Sequence, residues 1–191
     1  MASHTEDNKK GSTGIWVILV YPVVLLLISL SLNYFLFGVK SCVIALPSIE
    51  HIRSIIIAAV LLTINHTWIM TATELVRAKF KIHSTPEEWE KKGSNYNDVA
   101  EEGVRELKRH HDTHLNTTEN TIYFILLALP FIFVSPPAAA ITVWLIGYAI
   151  ARIGYTYSFL SGNDGARGLF MTLGLLSMYG IASYLVVCLF K

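Results

Sequence analysis

Residues 104–134 read VRELKRHHDTHLNTTENTIYFILLALPFIFV, a polar half that runs directly into an apolar half. Polar side chains in this stretch recur every three, four or seven positions, a spacing that puts them on one face of a helix. They are Arg105, Arg109, Asp112, Asn116, Glu119 and Asn120. An ionisable group at mid-bilayer costs about 2.5–3.5 kcal/mol, so such a face must turn toward a bundle interior or a water-filled cavity. The stretch predicts a membrane helix with either a functional polar stripe or a solvated, hydrogen-bonded helix end.

Apolar stretches of similar length occupy much of the remaining chain. The sequence has 191 residues and is 53% hydrophobic, whereas soluble domains have about 45–50% apolar residues. Its mean hydropathy is +0.48. A bilayer core takes about 20 apolar residues as a helix. Further candidate spans lie at about 15–37, 52–76, 138–160 and 168–190.

These spans predict an all-α integral membrane protein. We expect a four-helix transmembrane bundle in a domain of residues 54–191 and an N-terminal extension, residues 1–53, with one extra transmembrane helix. Pro136 and Pro137 interrupt the apolar sequence and predict a short turn. Pro86 follows two residues that can cap a helix, Ser84 and Thr85, and therefore predicts a short helix in the polar connection.

The first span also has some properties of a signal peptide, because Lys9 and Lys10 precede it. However, its apolar stretch is longer than the roughly 7–15 residues of a signal-peptide core, and no clear cleavage site follows. We therefore expect this helix to be retained.

Lysine and arginine residues predict the orientation, because cytosolic loops carry an excess of them. The connection after the second span and the start of the next helix are rich in basic residues: Lys79, Lys81, Lys91, Lys92, Arg105, Lys108 and Arg109. The other face carries few, so the basic connection and the N-terminus are predicted to be cytosolic. The net charge is only +1 and no basic run suits a nucleic acid, so we expect no nucleic-acid partner.

The cysteine and histidine residues predict neither a disulfide framework nor a metal site. Cys42 and Cys188 are far apart in the sequence and make no disulfide framework, so we interpret both as ordinary small residues. His110 and His114 have the spacing of a helical metal pair. No third ligand has a suitable spacing, and we expect no metal site.

Two more polar groups interrupt apolar helices. Glu74 and Arg77 are three residues apart, so they either pair with each other or serve a site. Arg152 lies well inside an uncharged helix and is expected to find a carboxylate partner, because a buried unpaired charge is costly. Asp112 is three residues from Arg109 and could pair with it.

Several of these motifs resemble the MAPEG family, the membrane-associated proteins of eicosanoid and glutathione metabolism. The segment from His114 to Asn120, HLNTTEN, is similar to the signature of that family. The order and spacing of other family-like residues agree with it over roughly residues 54–190. These residues are Thr71, Ala72, Thr73, Arg77, Pro86, Glu87, Ala151, Arg152, Ile153, Tyr155, Thr156, Arg167 and Gly168. The most similar branch contains microsomal glutathione transferases and membrane prostaglandin E synthases.

The resemblance implies a homotrimer in the endoplasmic reticulum membrane, with glutathione bound as co-substrate at the cytosolic end between adjacent subunits. By position, Arg77, Asn116 and Glu119 would bind glutathione and Tyr155 would contact it. Arg167 would lie near its sulfur as the catalytic residue. Arg152 would be structural.

The implied function is a membrane-bound glutathione transferase of detoxification that acts on hydrophobic electrophiles, with glutathione peroxidase activity as an extension of it. Its partners would be glutathione, membrane lipid and a hydrophobic or lipid substrate. Two alternatives remain: a glutathione-dependent isomerase of one eicosanoid or lipid, and a catalytically inactive membrane interaction protein. The second is favoured by two departures from the family pattern: Asp112 where arginine is frequent and Phe159 where tyrosine is common. In that alternative the extra N-terminal helix would recruit a membrane partner.

Overall fold

The computed structural model describes the backbone of residues 3–191 and the side chains of residues 16–191, and over that range it contains helices and no strands. The α-helices are α1 (Ser3–Ser31), α2 (Ile49–Phe80), α3 (Pro86–Lys92), α4 (Glu101–Phe133), α5 (Ala138–Leu160) and α6 (Asp164–Leu189). A π-helical segment, Leu32–Phe37, continues α1, and a 3₁₀ turn, Tyr96–Asp98, precedes α4.

Four helical stretches of the described residues are long and apolar enough to cross a membrane: Trp16–Phe37, Ile49–Phe80, Ala138–Leu160 and Asp164–Leu189. The remaining long helix, α4, has 33 residues. At about 1.5 Å per residue it exceeds the thickness of a bilayer core, and its first half carries the polar stripe. The predicted all-α membrane bundle with an extra N-terminal helix is confirmed.

The long helices alternate in direction, so the connections gather at two ends. We call the end with residues 81–100 and 161–163 the charged end, and the end with residues 38–48 and 134–137 the opposite end. The turn predicted at the two prolines is confirmed, since α4 ends at Phe133 and Pro137 is the N-terminal capping residue of α5.

The short helix α3 begins where the sequence predicted. Thr85 is its N-cap, Pro86 occupies the first turn, and the Thr85 hydroxyl oxygen accepts a bond from the Glu88 backbone N–H at 3.4 Å. The pKa of the Glu87 carboxyl is lowered, first by a hydrogen bond from its own backbone N–H and then by the Thr85 hydroxyl. A carboxylate is favoured at this position because the helix N-terminus is electropositive.

Helix α5 is the centre of the bundle and packs against α2, α4 and α6. Its contact with α6 is close because two glycines leave room for aromatic rings: a Cβ on Gly180 would collide with Trp144, and a Cβ on Gly154 would collide with Phe170. The fully buried apolar side chains around this contact include Phe131, Ile141, Leu145, Tyr148, Ile181 and Tyr184.

The N-terminal helix is attached to this core by polar contacts as well as apolar ones. Asn33 is fully buried. Its Nδ2 donates to the Gly180 carbonyl at 2.7 Å and to the Ser183 hydroxyl at 2.9 Å, and its Oδ1 accepts from Trp144 Nε1 at 2.9 Å. Nearer the charged end, the Tyr21 hydroxyl donates to Thr172 at 2.7 Å. Helix α1 therefore packs specifically on α6 and does not merely lie beside it.

Candidate functional site

The innermost polar group of the site is Arg152, which is only 2% exposed on α5. Its Nη2 donates to Asn116 Oδ1 at 2.9 Å and to Thr117 Oγ1 at 2.8 Å, both on α4. The expectation of a carboxylate partner was wrong, because no described carboxylate forms an ion pair with Arg152. The packing of α4 on α5 brings neutral oxygens to it instead, so its positive charge is not neutralised.

Three side chains extend from Arg152 toward the charged end. The Arg152 guanidinium carbon lies 4.3 Å from the centre of the Tyr155 ring, and that ring lies 5.7 Å from the Phe159 ring. The Arg167 guanidinium carbon lies 5.1 Å from the centre of the Phe159 ring. A cation this close to an aromatic face is attracted by the negative potential of the ring.

We call Asn116, Arg152, Tyr155, Phe159 and Arg167 the arginine column. It has a guanidinium at each end and two aromatic rings between them, and it runs along one side of α5 from its buried middle to its last turn. The spacing of three, four and seven residues on α5 predicts a shared face. Asn116 on α4 and Arg167 on α6 join the column only because these two helices pack against α5.

The outer end of the column is set by the start of α6. Asn163 caps this helix, since its Oδ1 accepts a bond from the Ala166 backbone N–H at 3.1 Å. One helical turn places Asp164 beside Arg167, with Nη2 and Oδ1 3.2 Å apart. The Arg167 side chain is 41% exposed, so it remains accessible to a ligand.

Arg77 lies at a different place, at the last turn of α2. Its Nη1 donates to the Ser84 hydroxyl at 2.9 Å, and its Nε lies 3.6 Å from Glu74. The pairing of Glu74 with Arg77, one of the two alternatives, is therefore present in the structure. Arg77 also borders a cavity of about 670 Å³ between the end of α2, the connection that follows it and the start of α4.

Asp112 lines the same cavity, and its partner is not Arg109. Its carboxylate lies 2.9 Å from Lys108 Nζ, while Arg109 pairs with Glu106 at 3.6 Å. The possible pair of Asp112 and Arg109 does not form, because spacings of three and four along α4 allow several pairings. Rotation of the helix in the bundle selects among them.

Glu119 is exposed on α4, and its carboxylate forms no ion pair with the described residues. Asn120, its neighbour, instead donates to the Asn116 carbonyl at 2.8 Å. One chain thus brings together Asn116, Tyr155 and Arg167, and leaves Arg77 and Glu119 outside the arginine column.

An apolar groove lies between α2 and α4, with a volume of about 590 Å³. At one edge the rings of His66 and His114 approach to 5.4 Å between centroids. Sequence reasoning missed this groove, as it missed Thr117 as a partner of Arg152 and Phe159 as the contact of Arg167. The threonines and aromatic residues can be read from the sequence, but the sequence of one helix does not show which residues of another helix they contact.

Long apolar helices hold a buried, uncompensated arginine at one end of the arginine column and an accessible arginine at the other. This arrangement defines an integral membrane bundle with a face suited to anions. A sequence model of the MAPEG family matches residues 55–187, and the chain belongs to this family. In general terms it is therefore a membrane protein of a glutathione-related or eicosanoid-related family. A comparison with curated proteins finds no match.

Proposed function

We propose that the protein is a membrane-bound glutathione transferase that acts on hydrophobic electrophiles, with glutathione peroxidase activity toward hydrophobic peroxides. The observation that carries this proposal is the arginine column, in which Arg152 has only neutral oxygen partners and Arg167 remains 41% exposed. Such a column attracts an anionic, partly polar molecule to the charged end of an apolar bundle.

The chemistry of glutathione suits these residues. It carries two carboxylates and one ammonium group, and guanidinium groups bind carboxylates by paired hydrogen bonds. Arg77 and Asn116 are proposed to bind the polar ends of glutathione, Tyr155 to contact it, and Glu119 to receive the ammonium group.

Arg167 is proposed as the catalytic residue. The thiolate is the reactive form of glutathione, and a neighbouring cation lowers the pKa of a thiol. The thiolate sulfur then attacks an electrophilic carbon of an apolar substrate that arrives through the lipid. Holding both reactants in position supplies much of the rate increase.

The same proposal includes a homotrimer in the endoplasmic reticulum membrane, with the charged end in the cytosol and α1 retained. A site between subunits is supported by the lack of a described contact between either Arg77 or Glu119 and the arginine column within one chain. Chemical cross-linking of the protein in native membranes tests the assembly: a limiting product of three chains is expected, and a product that stops at one or two chains would contradict it.

The function is tested by glutathione binding to the detergent-purified protein, measured by calorimetry and by ultraviolet absorbance of the thiolate. Arg167→Ala should remove the thiolate signal. Arg53→Ala is a matched control, because Arg53 also pairs with a carboxylate three residues away at 3.2 Å, but at the opposite end. An unchanged thiolate signal and turnover in Arg167→Ala would exclude the proposed role.

Two other functions use the same fold. A glutathione-dependent isomerase would need the same residues, so turnover measured across a panel of oxidised lipids and electrophiles separates it from a transferase. A catalytically inactive interaction protein is favoured by the ion pair of Arg167 with Asp164, which competes for the guanidinium. Failure of the folded protein to bind millimolar glutathione would favour that inactive function.

A further inference from the structure

Two cysteines that are far apart in the sequence meet at the opposite end of the bundle. The Cys42 backbone N–H donates to the Cys188 carbonyl at 3.0 Å, which brings the two residues side by side. Both are free thiols in the structure. The sequence interpretation of two unrelated small residues is therefore incomplete.

The backbone separation suits a covalent bond. With the nitrogen and oxygen 3.0 Å apart, bond lengths keep the two Cα atoms within about 7 Å of each other. Native disulfides span Cα distances of about 4.4–6.8 Å. The Cα separation of Cys42 and Cys188 is therefore compatible with a disulfide.

The connection between α1 and α2 is held in place on both sides of Cys42. Lys191 Nζ donates to the Val39 carbonyl at 2.7 Å, and the Ala45 backbone N–H donates to the Phe133 carbonyl at 3.0 Å. Because these contacts fix the segment against α4 and α6, the effective concentration of one thiol at the other is high.

We propose that Cys42 and Cys188 form a disulfide that fastens the N-terminal extension to the end of α6. The positive-inside rule places the basic connection in the cytosol. The cysteine pair lies at the opposite end of the bundle, and that end therefore faces away from the cytosol. Disulfides form and persist in the lumen of the endoplasmic reticulum, whereas the cytosol keeps thiols reduced. The bond is separate from the proposed glutathione site at the charged end and does not depend on it.

The oxidant is a low-molecular-weight or protein disulfide. Cys42 is half-buried and Cys188 is only 2% exposed, so Cys42 is the thiol that reacts first. Its thiolate attacks the donor disulfide, which forms a mixed disulfide and releases one thiolate. The Cys188 thiolate then attacks the Cys42 sulfur and releases the second thiolate. The two cysteines lose two electrons and two protons, and the donor becomes two thiols.

Alkylation of the full-length protein tests the bond by intact mass. The protein is extracted from eukaryotic microsomes directly into denaturing detergent with N-ethylmaleimide, so that buried free thiols also react. The chain has only two cysteines. The wild type should take up no maleimide before reduction and two after it, whereas Cys42→Ser and Cys188→Ser should each take up one without reduction. Two maleimides on the unreduced wild type, or a disulfide-linked dimer on a non-reducing gel, would overturn the proposal.

A second experiment tests the order of the reaction on purified, reduced protein treated with oxidised glutathione. Cys188→Ser should retain one glutathionyl group at Cys42, while the wild type should close without an adduct. A stable adduct on the wild type would show that Cys188 does not reach Cys42 and would contradict the mechanism. Reduction should lower the Tm of the oxidised wild type by about 5 °C and leave that of Cys42→Ala unchanged, which keeps the test valid if a serine variant folds poorly.

Discussion

Asn33 and Arg152 are both polar side chains buried in an apolar bundle, but their surroundings differ. Asn33 of α1 has partners for both atoms of its amide: the Gly180 carbonyl, the Ser183 hydroxyl and the Trp144 indole. Arg152 of α5 has two neutral acceptors on one nitrogen, while its Nε has no partner in the described chain.

The difference predicts a structural role for Asn33 and, in place of the structural role that the family resemblance implies, a binding role for Arg152. A neutral amide with all its partners is complete and has no remaining affinity for a ligand. A charged guanidinium with neutral partners keeps a positive potential and an unused donor, and both favour an anion. The largest effects of substitution should therefore be on stability near Asn33 and on glutathione binding near Arg152.

The strongest test of this comparison is Arg152→Met. Hydrogen bonds to charged groups are worth about 1.5–3 kcal/mol, so glutathione affinity should fall by about 10–100-fold as Asn116 loses its charged donor. The Tm should change little, because the variant also removes the cost of burying a charge. Calorimetry and thermal unfolding on the same preparation measure both. Normal affinity with a large loss of Tm would make Arg152 purely structural.

Asn33→Leu should give the converse result. The variant removes the hydrogen bonds that Asn33 makes to a buried indole N–H, a carbonyl and a hydroxyl. Each buried polar group left unpaired costs about 1–3 kcal/mol. For a chain of this size the Tm should fall by about 4 °C or more, while glutathione affinity stays the same. Tyr34→Leu is the control, since Tyr34 is the next residue and is exposed. Equal Tm values for the two variants would exclude a structural role for the amide.

A smaller effect is expected where an exposed carboxylate competes with the ligand. Exposed ion pairs contribute about 0.2–1 kcal/mol, so Asp164→Asn should increase the thiolate absorbance of bound glutathione by about 1.5–5-fold. Glu50→Gln, which frees Arg53 at the opposite end, should not change it. A decrease in absorbance in Asp164→Asn would mean that Asp164 orients Arg167 for the thiol.

The smallest effect concerns Glu87, outside both polar regions. Its pKa is lowered in the folded state by its own backbone N–H and the Thr85 hydroxyl. The contribution of Glu87 to the free energy of unfolding is therefore fully present above the pKa of the unfolded state. It is lost as the pH falls through the pKa of the folded state. Thr85→Ala should raise the Glu87 pKa toward its ordinary value, measured by carbon-13 NMR of labelled carboxyl groups. An unchanged titration would show that the hydroxyl has no influence.

Several features followed from the sequence alone because they depend on local chemistry. The apolar stretches have the length of a helix that spans a bilayer, and such a helix satisfies its own backbone groups there, so the spans were predictable. Pro86 and Thr85 determined where α3 begins, and Pro136 and Pro137 determined the turn before α5, since proline restricts the backbone wherever it occurs. The HLNTTEN segment, together with the order and spacing of the other family-like residues, predicted the family.

Contacts between helices could not be predicted in the same way. Periodicity shows which side chains share a face of one helix, but not which neighbour that face meets. The close approach of α5 and α6 at Gly180 is one determinant of the bundle geometry. Packing also gave Arg152 neutral partners in place of a carboxylate, and it paired Asp112 with Lys108 in place of Arg109.

The sequence by itself determined that this chain is a helical membrane protein with polar residues near one end of its bundle. The tertiary structure decided which of those residues meet: Asn116, Tyr155 and Arg167 belong to one column, Arg77 and Glu119 lie outside it, and Cys42 meets Cys188. The physical reason is that the free energy of spanning a bilayer is a property of each segment, whereas a contact between two segments depends on how both are packed.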